Sequence, residues 1–189
     1  MQELIYRDRE LLLFLNNLGG ASYDAFWILM SEKWIWIPLY VIFLYLIIKN
    51  FAAKQVIFLL LFIAIGLTIS DQLAGIFKEG IMRLRPCHDP ELIPKMRLVL
   101  CGGTYGFYSS HASNSFFIAN FLSILLYRKY KYLPYFLFFW AIVVSYSRIY
   151  LGVHFPLDII FAAIVGFLLG GLFANLSLKV VNKQNQIFT

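Results

Sequence analysis

The sequence predicts an all-α integral membrane protein, with about five transmembrane helices in one bundle and an N-terminal interfacial amphipathic helical region. Three observations carry that expectation. Of the 189 residues, 61% are hydrophobic and only 14% are charged, whereas a soluble domain is roughly half apolar and a quarter charged. Mean hydropathy is +0.74, and five stretches approach the length of about 20 apolar residues that a spanning helix requires. No Pro/Gly/Ser-rich linker, charge run, internal repeat or low-complexity tract divides the chain, so residues 1–189 read as one membrane-embedded domain.

The N-terminal stretch MQELIYRDRELLLFLNNLGG mixes charges with apolar residues, and its apolar run 11–15 is too short for a cleaved signal peptide. Its Leu, Ile and Phe positions suit a helix lying at the membrane interface, which makes residues 1–33 an interfacial region. Spans are expected at about 34–49, 55–77, 112–127, 133–150 and 157–178. The third is short unless its polar start, SSHASN, forms the first turn. Pro134 and Pro156 fall near helix starts, where a missing N–H costs little.

The connections between these spans divide into two sets. One side carries KNFAAK, RKYKY and the C-terminal KVVNK, with Lys49, Lys54, Arg128, Lys129, Lys131, Lys179 and Lys183 and no acid. The other side holds the N-terminal region, the long loop 78–111 and the turn after residue 147. Every Asp and Glu lies on that side, except Asp71 inside the second span. Short basic loops mark the cytoplasmic face. The raw count, seven basic residues against nine, does not decide the matter, but the nine are spread over long segments and partly committed elsewhere.

Parity then brings three polar segments to one membrane surface: KEGIMRLRP (78–86), YSSHASNS (108–115) and SRIYLGVHFPLD (147–158). Together they supply Lys78, Arg83, Arg85, Arg148, His111, His154, Asp158, Ser109 and Ser110. Several cations suit a phosphate dianion, and arginine binds one in a planar, bidentate way. Ser109 and Ser110 open a helix, where free N–H groups and the dipole favour an anion. His154 and Asp158 are four apart and share a helix face, so the carboxylate can hold one imidazole nitrogen and leave the other as a nucleophile. His111, from another helix, is placed to protonate a leaving oxygen. Singly, each residue has a plainer role: Lys78, Arg83 and Arg85 as headgroup anchors, the serines as N-caps, a histidine as a structural hydrogen bonder. Their combination across three segments favours a site.

These residues resemble the signature of the type 2 phosphatidic acid phosphatase family, which shares its site with bacterial acid phosphatases and vanadium haloperoxidases. The family's first motif is Lys, six residues, then Arg-Pro, matched by Lys78 and Arg85-Pro86. Its third is Ser-Arg, five residues, His, three residues, Asp, matched in full by Ser147, Arg148, His154 and Asp158. The second, Pro-Ser-Gly-His, here reads Tyr108-Ser109-Ser110-His111, with Pro and Gly replaced and the Ser110 N–H retained. The motifs cover 78–158, and the helix pattern extends the match over nearly the whole chain.

The resemblance implies that Lys78, Arg85, Arg148, Ser109 and the Ser110 backbone hold a phosphate. His154 would attack phosphorus to form a phosphohistidine, Asp158 would orient it, and His111 would serve as acid and then base. Helices 112–178 would complete the site. No metal or other cofactor is implied, and no cysteine–histidine cluster has zinc spacing. The implied substrate is a phosphorylated membrane lipid, with undecaprenyl diphosphate favoured over phosphatidylglycerophosphate, phosphatidic acid and the lipid A phosphates. Transfer to an acceptor other than water, and a non-catalytic lipid-binding or transport protein, stand as alternatives. The expected place is a bacterial cytoplasmic (inner) membrane, multi-pass, with the site on the extracytoplasmic face, the bilayer as partner and no nucleic acid; the oligomeric state is left open.

Three further features need a reading. Cys87 and Cys101 lie fourteen positions apart in the outer loop, where an extracytoplasmic location permits a disulfide; closing such a loop contributes about 3 kcal/mol. It would brace His88 and Asp89 beside the site, with His88 more simply a surface residue. Asp71 is costly within a span and calls for a partner or a support role near Lys78. Trp27, Trp34, Trp36 and Trp140 are expected in interfacial belts and lipid contact.

Overall fold

The structure, a computed structural model, describes residues 2–187, with side chains as far as Val181; Lys183, counted above with the basic connections, lies outside the described side chains. The described residues form seven α-helices: α1 (Gln2–Asn17), α2 (Ala21–Ser31), α3 (Ile37–Asn50), α4 (Ala53–Ile81), α5 (Ser110–Leu126), α6 (Leu133–Tyr150) and α7 (Pro156–Ile187). Short 3-10 turns at Lys33–Trp36, Pro86–His88 and Ile93–Lys95 punctuate the connections. Among the described residues, one isolated bridge joins Leu84 to Tyr105 in antiparallel fashion.

Among the described residues, four segments are long and apolar enough to cross a membrane: Lys33–Asn50, Ala53–Ile81, Leu133–Tyr150 and Pro156–Val181. The remaining expected span corresponds to α5, which has 17 residues and a length of about 25 Å. Its position explains why it falls short. α5 lies at the centre against α4, α6 and α7, and buries Ser113, Ser115, Asn120 and Ser123 beside Phe117 and Phe121. A helix shielded from lipid by its neighbours need be neither uniformly apolar nor full length. It still returns the chain from the end of α4 to the start of α6. With its four long spans, the chain is a multi-pass membrane protein.

Small residues set the closest approach. A Cβ at Gly166 or Gly170 would collide with the backbone carbonyls of Ser113 and Phe117, so α7 lies directly on the α5 backbone. Such small-residue contacts are how membrane helices gain dispersion energy without a hydrophobic driving force. Outward-facing Ile42, Ile48, Ile57, Phe139, Ile142, Ile164 and Leu168 are exposed, as lipid-facing positions should be.

The aromatic residues depart from the belt expectation. Trp140 is 3% exposed and meets Trp36, Tyr40 and Phe43 edge-on, while Trp27 stacks on Tyr150 at 5.4 Å. Only Trp34 among the four stands well out, at 77% exposure. Ring area is used here to pack helices against one another.

α1 presents Leu4, Ile5, Leu11 and Phe14 outward and buries Asp8, Leu12 and Asn16. It is amphipathic with its polar anchors turned inward. Asn16 Nδ2 donates to the carbonyls of Tyr150 (2.7 Å) and Arg97 (3.0 Å), and its Oδ1 accepts from the Arg97 N–H at 2.7 Å. Arg97 in turn pairs with Asp24 of α2 at 2.8 Å. These bonds fasten both N-terminal helices over the face where α4, α6 and α7 meet the long loop.

Candidate active site

α4 stops at Met82, whose left-handed backbone (φ 51) turns the chain into the loop carrying Arg83 and Arg85. Across from it, Ser109 caps α5, with its Oγ accepting the Ala112 N–H at 3.5 Å. α7 begins at Pro156, a residue pre-organised for a first helical position. His154 therefore sits in the turn just before α7, not on the helix as its spacing from Asp158 suggests. The two still meet because Asp158, the third residue of α7, reaches back: its Oδ2 accepts the Phe155 N–H at 3.0 Å and lies 3.5 Å from His154 Nδ1. This is half of a capping box, used to bring a carboxylate behind an imidazole.

A cavity of about 500 Å3 collects most of the expected residues on its walls: Lys78, Arg85, Ser110, His111, Arg148 and His154. Lys78 Nζ donates to Ser110 Oγ at 2.7 Å. Arg85 Nε donates to the Tyr105 carbonyl at 3.1 Å. Arg148 donates through Nη1 to Ser31 Oγ of α2, and its buried Nε has no protein partner among the described residues. A buried guanidinium N–H left in this way is a donor suited to an anion. Three cations from three segments thus share one chamber.

His154 is 2% exposed and Asp158 is fully buried. Burial pushes the His154 imidazole down to about 4, although Asp158 pulls the other way. It is therefore neutral near pH 7, with Nδ1 towards Asp158 and the other nitrogen free to act as a nucleophile.

Ser109 does not join the cavity wall. It is fully buried, and its oxygen accepts the capping bond of α5 while its O–H remains a donor. Asp71 does line the cavity, deeper along α4. Cys87 and Cys101 are joined in a disulfide. His88 Nε2 lies 3.0 Å from the Gly102 carbonyl, which makes His88 a bond within the loop.

Two residues at the site carry no motif signal. Gly106 packs so tightly that an added Cβ would lie 3.0 Å from Arg85 Cγ, 3.3 Å from Asp158 Oδ2 and 3.5 Å from His154 Nδ1. Asp8, from α1, places Oδ2 2.6 Å from Arg83 Nη2. Arg83 itself turns away from the chamber and pairs through Nη1 with Asp158 Oδ1 at 2.7 Å. A glycine in a loop and an acid in an N-terminal helix are too common for any sequence pattern to single out.

The chain as a whole has its counterpart in a known family. The PAP2 superfamily model matches residues 55–182. The chain belongs to the PAP2 superfamily. A lipid A 4'-phosphatase of Bacteroides thetaiotaomicron is 39% identical over 170 residues, covering 88% of this chain and 75% of that protein. A lipid A 4'-phosphatase of Porphyromonas gingivalis is 35% identical over 175 residues, covering 90% and 72% respectively. Among solved structures, Aquifex aeolicus LpxE is similar with a TM-score of 0.64 and 28% identity, over 90% of this chain and 93% of that one. The transmembrane PAP2-type phosphatidylglycerolphosphate phosphatase from Bacillus subtilis shares the fold, with a TM-score of 0.75, 19% identity and coverage of 95% and 89%. This PAP2 protein is a phosphoric ester hydrolase acting on a membrane lipid, which sets aside the non-catalytic alternative.

Proposed function

We propose that this PAP2 protein removes a phosphate from the sugar headgroup of lipid A, by hydrolysis through a phosphohistidine at His154. The observation that carries the substrate is the agreement of two relatives, each similar over most of its length and each named for that activity. The relatives favour the lipid A phosphates over the undecaprenyl diphosphate first expected from the sequence.

The cavities are compatible with a lipid carrying a phosphorylated sugar. The larger one continues from Arg148 and His154 past Leu67, Ile63 and Leu60 to Phe121 and Leu122, an apolar path suited to an acyl chain. A second, of about 310 Å3, is lined by Glu32, Lys33, Trp34 and Val153 and shares His111 and Arg148 with the first. In such a lipid the sugar bears both the tail and the phosphate, and His111 and Arg148 lie where the two cavities meet.

In the proposed reaction, Lys78, Arg85 and Arg148 neutralise the phosphate, with the Ser110 N–H at the start of α5 helping to hold it. The free nitrogen of His154 attacks phosphorus, the bond from phosphorus to the sugar oxygen breaks, and His111 protonates that oxygen. His111 then takes a proton from water, which attacks phosphorus and releases inorganic phosphate and His154. Asp158 holds the imidazole and stabilises its charge while the nitrogen–phosphorus bond exists. The family site is read as needing no metal, the three cations supplying the positive charge. The acid-free basic loops support a bacterial inner-membrane setting with the site on the extracytoplasmic face.

The test is phosphate release by purified protein in detergent with EDTA, from lipid A, undecaprenyl diphosphate, phosphatidylglycerophosphate and phosphatidic acid, beside His154→Ala. Fastest release from lipid A, with the 4'-phosphate missing by mass spectrometry and no release by the variant, is the expected result. A preference for undecaprenyl diphosphate would overturn the substrate. An added alcohol that captures the phosphoryl group would replace hydrolysis with transfer.

A further inference from the structure

Asp8 lies outside the matched family region, on a helix that contributes nothing to the chamber, yet it is 3% exposed and both its oxygens are bonded. Oδ2 accepts from Arg83 Nη2 at 2.6 Å. Oδ1 accepts the Leu157 N–H at 2.9 Å, one of the unsatisfied donors of the first turn of α7. Arg83 uses its other arm, Nη1, on Asp158 Oδ1 at 2.7 Å, and its guanidinium lies 3.9 Å above the centre of the Phe155 ring. Asp158 ends this chain at His154 Nδ1. One planar cation is therefore clamped between two carboxylates and an aromatic face, immediately behind the nucleophile.

We propose that Asp8 is a positioning residue of the active site, acting through Arg83 to aim Asp158 at His154 and to keep that carboxylate's charge available to the imidazole. The proposal rests on His154 being the nucleophile. Its first element is geometric: Asp8 fixes both the guanidinium and the start of α7, the two supports of Asp158. Its second is electrostatic. Asp8, Arg83 and Asp158 together carry a net charge of −1 behind His154, whereas Arg83 and Asp158 alone would be neutral. When the imidazole attacks phosphorus it becomes cationic, and a net negative group at its back stabilises that charge in a dry site.

The neighbours of the two groups leave this role to Asp8. Arg85, Arg148 and His111 bear on His154 from the chamber side, so Asp158 is the acid that faces it. Asp8 is met by Arg83 from the loop after α4, and by Leu157 and Asp158 from α7. The other charged residues of α1 are engaged elsewhere, Arg9 with Asp89 and Glu91 and Arg7 with Glu3 and Glu10.

Asp8→Asn keeps the size and the acceptor for Leu157 but removes the charge. Measured with lipid A or with a soluble phosphate ester, kcat is expected to fall about tenfold with KM within about twofold of the parent. Asp8→Glu is expected to recover part of the loss. Arg83→Gln should lower kcat similarly, and the double variant Asp8→Asn with Arg83→Gln should be no slower than the worse single one. Arg9→Gln, which loosens the same helix from the long loop without touching this chain, should leave kcat unchanged.

An unchanged kcat in Asp8→Asn would overturn the proposal, as would additive losses in the double variant or an equal loss in Arg9→Gln. Should Asp8→Asn fail to fold, Arg83→Gln decides, and full kcat in that folded protein counts against it. An active His154→Ala would instead remove the nucleophile on which the proposal depends, a different and separately visible failure.

Discussion

Lys78 Nζ and Ser110 Oγ lie 2.7 Å apart, joining the last turn of α4 to the first turn of α5. Ser110 stands where the motif that this sequence resembles has glycine, and its hydroxyl supplies a bond that a glycine could not make. It holds a flexible four-carbon side chain at the wall of the chamber before any phosphate arrives, lowering the ordering cost of binding.

Ser110→Ala should therefore raise KM about fivefold, the worth of roughly one hydrogen bond, while kcat stays near the parent because the N–H at 110 is retained. Initial rates over a range of lipid concentrations check this. A fall in kcat alone would show that the hydroxyl acts on the chemistry and not on Lys78.

Gly106→Ala puts a methyl group against Arg85, Asp158 and His154 together. Overpacking of this kind costs about 1–3 kcal/mol, and here the yielding atoms belong to the site. The variant is expected to fold, by its elution in detergent, and to lose kcat at least about tenfold.

The buried imidazole makes stability depend on pH. His154 is held near 4 in the folded protein, below its ordinary value of about 6.5. Between those values the unfolded chain takes up a proton that the folded one refuses, so stability is complete above about pH 6.5 and falls towards pH 4. The loss from this group reaches about 3 kcal/mol at most. Thermal midpoints of the parent should drop across that window by more than those of His154→Asn, and parallel curves would assign the slope to other groups.

Leu67→Trp fills the apolar path between α4 and α5, two or more turns of α4 below Lys78. It should raise KM for a long-chain lipid at least about tenfold, because the tail loses its place, and leave hydrolysis of a short, soluble phosphate ester near the parent rate. Equal losses on both substrates would mean that the tail lies elsewhere.

Much of the fold and site is legible in the sequence, for reasons that differ by residue. The His154–Asp158 spacing and the pair Lys78 and Arg85 are visible because the motifs fix residue type at set separations. Parity of the spans then places them on one face. α5 is harder, since a central helix hides its polar residues against protein and loses the hydropathy signal that lipid contact imposes. Arg83 and Asp8 are illegible because their partnership joins positions 75 apart, and nothing local distinguishes either from a headgroup anchor. Ser109 is legible as a motif position, and the structure adds that its oxygen also caps α5. Trp27 and Trp140 go astray because an aromatic residue in a membrane chain suits a belt and a helix contact equally well.

The glycines at 166 and 170 have a consequence for how a bulky lipid is admitted. They lock α7 to α5 backbone against backbone, and that pair carries His111 and Asp158, with His154 in the turn leading into it. α3, on the opposite wall of the cavity, is held chiefly by Phe43 and Ile47 and carries none of the reacting groups. The cavity is thus walled on one side by a tightly locked helix pair and on the other by a helix that buries few of its own residues. A lipid tail lying along α3 would therefore press on a different wall from the one that fixes His111, His154 and Asp158.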